Sequence, residues 1–227
     1  MPIILCLNPW GVLMRLETAQ LYLEHDACPE TLERELAARA HSLPGPRRIV
    51  FGRNMAGCWG AGDYTVDLHF EGDACDAAAA ACLAQLPGVS RADHLAYRPI
   101  DVGQRAAGLQ NGVWRTLLFR VRPEACSEHV AALERDLLRM PAYMPTIRNW
   151  QLSRVTSPSA WTHVWQQEFA CVEDLQGEYL THPFHWGWVD RWFDPEFPEW
   201  TVAAISHAFC PLESSILTLP AIAQRTI

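Results

Sequence analysis

The chain has 227 residues, of which 49% are apolar and 19% charged, a globular rather than a disordered composition. A formal net charge of -8 and the lack of any Lys/Arg-rich run exclude a surface built for phosphate backbones or for anionic membranes. That length accommodates one large domain or two of about 100 residues each.

In chain order, the apolar stretch Met1 to Met14 has no basic leader, is interrupted by Pro9 and is too short to span a bilayer. It reads as an extra strand or arm packed on the domain. Nothing else approaches transmembrane length, so a soluble, cytoplasmic protein is expected. The eight cysteines form no Cys-x-x-Cys pair, the usual start of a structural zinc site, and read as free thiols in a reducing compartment.

Ala19 to His25 predicts a strand, and Pro29 to Leu43 an amphipathic helix ended by Pro44-Gly-Pro46. Arg48 to Arg53 and Tyr64 to Phe70 predict two strands around a Gly57 to Gly62 loop. An Ala-rich helix over Asp73 to Leu86 and a strand over Val89 to Tyr97 follow. Asp101 to Gly112, polar and Gly-bearing, reads as a linker.

The second half repeats this order. Val113 to Val121 predicts a strand, Pro123-Glu124 opens a helix, and Pro141 and Pro145 end it. Thr146 to Val155 and Trp161 to Phe169 predict strands, Val172 to Trp192 a helical region broken at His182-Pro183, and Val202 to Cys210 the last strand. Pro29-Glu30 answers Pro123-Glu124 and Phe70 answers Phe169, a repeat of about 95 residues. The expected fold is α+β, with two tandem ferredoxin-like βαββαβ units whose bare sheet faces bury each other. The expected division is 1–104, 105–211 and a tail over 212–227.

Tyr179-Leu-Thr-His182-Pro183-Phe-His185 is the strongest local signal. The break at Pro183 lets Tyr179, His182 and His185 converge, with Trp186 and Trp188 as an apolar wall. Alternation along the strand puts His163 on one face with Trp161 and Trp165. Asp190 and Arg191 read as an exposed ion pair, and His25, His41, His69, His94, His129 and His207 as dispersed. Bland readings stand beside these: His163 as a hydrogen-bonded core residue, His182 as the shaper of the break, and the Trp cluster as core.

Trp114-Arg-Thr-Leu-Leu-Phe-Arg-Val121, Trp161-Thr-His163 and the Tyr179 to His185 motif resemble the Dabb family of stress-responsive dimeric α/β-barrel proteins. The resemblance covers about 113–210 by motif and the first half by topology. It implies an intramolecular dimeric α/β barrel, a monomeric pseudo-dimer or a homodimer of such chains. The family includes a metal-free polyketide cyclase, so the resemblance implies His185 and Tyr179 as catalytic pair and His163 and His182 as pocket residues. Arg115 stands where the family usually carries His, which favours an anionic substrate group.

The expected partner is a small hydrophobic or aromatic metabolite, bound by His163, Arg115, His182, Trp161, Trp186 and Trp188, with no metal and no cofactor. The functions considered are a cofactor-free lyase, cyclase or isomerase, a non-catalytic ligand-binding or stress-response protein, and, last, a haem enzyme of related two-copy barrels.

Overall fold

The computed structural model describes residues 14–42, 46–71 and 77–217. The predicted N-terminal arm and the end of the predicted tail lie outside the described residues. The elements run β1 (Met14–Leu23), α1 (Pro29–Ser42), β2 (Pro46–Arg53), β3 (Tyr64–Glu71), α2 (Ala77–Ala84) and β4 (Val89–Gln104). They continue with β5 (Gln110–Val121), α3 (Ser127–Tyr143), β6 (Asn149–Val155), β7 (His163–Phe169), a wound segment over 172–192, and β8 (Val202–Ser214).

One eight-stranded antiparallel sheet has the order β2-β3-β1-β4-β6-β7-β5-β8. Read outward from the junction, each half has the order fourth-first-third-second or its reverse, the ferredoxin-like arrangement repeated. The fold is therefore the expected mixed α+β barrel, nearly closed and built from both halves.

The expected 101–112 linker is largely strand. β4 continues to Gln104, and its last turn of residues pairs with β6 from Tyr97↔Val155 to Gln104↔Asn149. An edge strand left open in a half-barrel would expose its polar backbone, and pairing across the junction removes that edge. Pro123-Glu124 also lies in a turn ahead of α3, and Pro141 sits inside its final turn rather than beyond it.

Alternation along the strands sends one set of side chains into the barrel and the other toward the helices. Leu16, Leu95, Tyr97, Leu118 and Val164 cluster between the sheet halves. A polar seam crosses the same interior: the buried Asp67 carboxylate accepts from Tyr97 Oη at 2.8 Å and from Gln166 Nε2 at 3.3 Å, tying the halves together. At one end, Glu168 accepts from Asn149 Nδ2, Ser215 Oγ and the backbone amides of Ile216 and Leu217. That buried carboxylate fastens the residues that follow β8 to the end of β7.

The remaining gap, between β2 and β8, is closed without a full ladder. Arg48 Nη2 donates to Ser215 O at 2.8 Å, and Gly52 lies against Cys210. A Cβ on Gly52 would stand 2.6 Å from Cys210 Sγ, well inside van der Waals contact, so the approach needs glycine. Gly52→Ala is expected to cost about 1–3 kcal/mol through overpacking, several degrees in Tm. Adding Cys210→Ala should recover part of that loss in thermal melts. A double variant no more stable than Gly52→Ala alone would contradict this account of closure.

Candidate functional site

On the helix side of the second half, β5, β7 and β8 face α3 and the wound segment across a half-open cavity of about 280 Å³. Its walls are mostly apolar, including Leu117, Leu137, Trp165, Phe193 and Ile205. Polar groups enter from Arg115, Tyr179, His185, Asp190 and His207.

The wound segment positions two of these groups by unusual geometry. Asp174–Tyr179 and His185–Val189 are π-helical turns, interrupted by the Pro183 break. Wider turns bring residues five apart onto one face, where an α-helix would align those four apart. His185 Nδ1 accordingly stands 3.0 Å from Asp190 Oδ1, at ion-pair distance though short of hydrogen-bond alignment. Such contacts tighten when a ligand enters. His185 also lines the cavity, so its ring meets both Asp190 and the open space. The expected exposed Asp190–Arg191 pair does not form: Arg191 donates instead to Asp136 at 3.0 Å, beside Trp192 Nε1.

Tyr179 is buried, its ring edge-on to Phe169 at 5.5 Å and to His185 at 5.0 Å. Burial pushes its phenol pKa up and the Arg115 cation opposes that, so the group remains a hydroxyl donor at neutral pH. Arg115 lies 5.1 Å above the Tyr179 ring, donates from Nη1 to Gln167 Oε1 at 2.5 Å, and is buried. Burial pulls its pKa down, yet a guanidinium stays charged. Among the described residues no carboxylate lies at ion-pair distance from it, and its Nε is buried without an acceptor. His207 is held down to about 3 by burial, then by Arg115 and His185, and is neutral at pH 7.

The strand registers show what is special here. Leu21 pairs with Tyr64 and Glu17 with Leu68, as Phe119 pairs with His163 and Arg115 with Gln167. Ala19 pairs with His94 as Leu117 pairs with His207. Glu17 and His94 thus occupy in the first half the places of Arg115 and His207. There the charge is answered internally, Glu17 lying 2.6 Å from Arg15 Nε and 2.8 Å from His94 Nε2. Arg115 has no such answer.

Of the residues singled out in the sequence, the structure brings together Tyr179, His185 and Arg115. It places the others outside the cavity. His163 stacks on Phe119 at 4.6 Å, with Nε2 3.1 Å from Glu134 and Nδ1 2.8 Å from Thr162 Oγ1. His182 accepts the Phe184 amide on Nδ1 at 3.1 Å and shapes the break. Trp161 precedes β7, so the alternation does not reach it, and it packs with the barrel-interior cluster. Trp186 is 65% exposed and donates to Leu180 O, and Trp188 lies outside over Arg139 and Arg191. Three residues were missed. His207 shares the β8 face of Ile205 and Phe209, which alternation could have shown. Asp190 needed the π-turn, and Trp59 reaches the cavity from the first half.

This architecture, a ferredoxin-like pair closed into one barrel with a cavity under the helices of one half, defines a dimeric α/β-barrel protein. Residues 113–206, within the second half of the chain, match the Stress responsive A/B Barrel Domain (Dabb). A comparison with curated proteins yields no match. Solved structures share the whole fold at low identity. An anthrone oxidase-like protein is 10% identical with a TM-score of 0.62, covering 92% of this chain and 95% of its own. A Lactobacillus acidophilus protein provisionally named a monooxygenase is 13% identical with a TM-score of 0.56, covering 91% and 96%. One from Fusobacterium nucleatum, named likewise, is 7% identical with a TM-score of 0.57, covering 88% and 92%.

The Glu134 cluster behind His163 is open to a pH test. Burial would raise the Glu134 pKa, but hydrogen bonds from His163 and from Arg154, at 2.7 and 2.8 Å, hold it down to about 2. A carboxylate lowered on folding adds stability above its unfolded value near 4.5, and that stability fades as the pH falls toward 2. Glu134→Gln should therefore lower stability clearly at pH 7, and denaturant titrations should show the gap to wild type narrowing between about pH 4.5 and 2. A gap independent of pH would refute the assignment.

Proposed function

We propose that the cavity binds a small aromatic or carbonyl compound through an anionic or enolisable oxygen and exchanges its protons without a cofactor. The observation that carries this reading is Arg115, a buried cation with no carboxylate partner among the described residues, at the floor of an apolar cavity beside Tyr179 and His185. A buried charge left unanswered is costly, and a ligand oxygen would answer it.

In the proposed reaction His185 Nε2 removes a proton from the carbon next to a carbonyl. The electron pair moves onto the carbonyl oxygen, where the Arg115 guanidinium and the Tyr179 hydroxyl stabilise the enolate. Asp190 steadies the imidazolium so formed. His185 then returns the proton to a different carbon, giving an isomer, or the enolate carbon attacks a second carbonyl of the same chain, closing a ring whose new alkoxide takes the proton from His185. The apolar walls exclude water and hold a flexible substrate folded. The reaction class is thus a lyase, cyclase or isomerase acting by acid–base chemistry.

The test is hydrogen–deuterium exchange into 2-tetralone, an enolisable bicyclic ketone, followed by NMR in deuterated buffer. Wild-type protein should exceed the buffer rate, and His185→Ala should lose roughly 10²–10⁴-fold. Tyr179→Phe should lose less, and Arg115→Met should lose binding of carboxylate analogues while melting no lower than wild type. Exchange that survives His185→Ala would sink the catalytic assignment. Saturable binding without exchange would favour the non-catalytic ligand-binding reading.

A further inference from the structure

The loop between β2 and β3 belongs to the first half, yet it is fastened to the second. Met55 N donates to Phe209 O at 2.9 Å, and Trp59 exchanges both backbone hydrogen bonds with His207, at 2.9 and 2.8 Å. Gly57 (φ 98°) and Gly60 (φ 64°) take left-handed conformations on either side of Trp59, which glycine adopts without strain. A Cβ on Gly60 would crowd Ile205 O at 3.0 Å, and one on Gly62 would stand 2.4 Å from Leu21 O. Gly60 therefore lets the loop lie close on β8, and Gly62 lets it lie close on β1.

The result is a rigid backbone that carries a large apolar side chain in an unusual state. The Trp59 indole lines the cavity but is 65% exposed, although its main chain is paired to the very residue, His207, whose ring lies inside. Within the same lining Arg115 is buried, whereas Trp59 and Leu180 are exposed and stand on the solvent side. An indole face offers stacking to a planar ring and little to a saturated chain.

Resting on the anion-binding reading above, we propose that Trp59 is a specificity-determining residue of this cavity: it covers the outer ring of a planar aromatic ligand and selects it over an aliphatic one of equal charge. The site is then composite, with the charged floor from the second half and the selecting aromatic surface from the first.

The experiment uses the full chain and isothermal titration calorimetry with 2-naphthoate, octanoate and neutral 2-naphthol. Trp59→Ala should weaken 2-naphthoate about tenfold and octanoate by less than about twofold, with Trp59→Phe close to wild type. Because the indole is mostly exposed, the melting temperature of Trp59→Ala should match wild type, which separates recognition from folding. Arg115→Met should weaken both carboxylates alike. Equal weakening of naphthoate and octanoate by Trp59→Ala, or no weakening of either, overturns the assignment. If wild-type protein binds neither carboxylate, the anion-binding reading fails. In that event a tenfold loss for 2-naphthol in Trp59→Ala would uphold the role of Trp59, and no binding of any of the three probes would overturn both.

Discussion

Two four-stranded sheets, each with helices on one face only, must hide their other face, and nearly everything else in this molecule follows from that need. Pressing the faces together builds the barrel core of Leu16, Leu95, Leu118 and Val164. It also forces a solution for the strand edges, which cannot remain unpaired beside a buried interior. One edge pair is solved by lengthening β4 onto β6. The other is solved by a glycine contact, an arginine to a backbone carbonyl, and the loop after β2 laid along β8. That last device carries Trp59 to the cavity, so the closure of the barrel and the composition of the candidate site are one structural event.

The polar groups buried by this arrangement fall into two kinds. Asp67, Glu134 and Glu168 are each surrounded by donors and lock elements together. Low dielectric makes such satisfied networks rigid. Others are donors without an acceptor; several, such as Trp114 Nε1 and Arg148 Nε, lie away from the cavity, and Arg115 Nε lies in its lining. Of these unmet donors, those lining the cavity are the ones open to a ligand, and residue type alone does not mark them. His163 and His185 show it: the first is wedged between Phe119 and Glu134, the second opens on the cavity with Asp190 behind it.

Sequence patterns revealed the order of strands and helices because alternation and amphipathic spacing are local consequences of burial. The proline break drew attention to Tyr179 and His185, whereas Arg115 came forward only as a departure from the family that the sequence resembles. They could not reveal the β4 extension, because Asp101 to Gln104 is polar and becomes strand only through the partner edge on β6. The same limit hid Asp190, whose approach to His185 depends on a π-turn, and Trp59, whose approach depends on tertiary closure. Alternation grouped His163 with Trp165 but could not show that it lies against Phe119 and Glu134 rather than in the cavity lining.

The five residues between β4 and β5, 105–109, join halves that a symmetric dimer would hold as separate copies. In such a dimer every substitution appears twice, so a change that suits one cavity is imposed on the other. A tether lifts that restriction, and Glu17 opposite Arg115 shows how far the halves have parted. One half can give up its own site and lend a side chain to its neighbour instead. Occupancy of the candidate site then counts chains rather than barrel faces, and assembly at low concentration no longer depends on two molecules meeting.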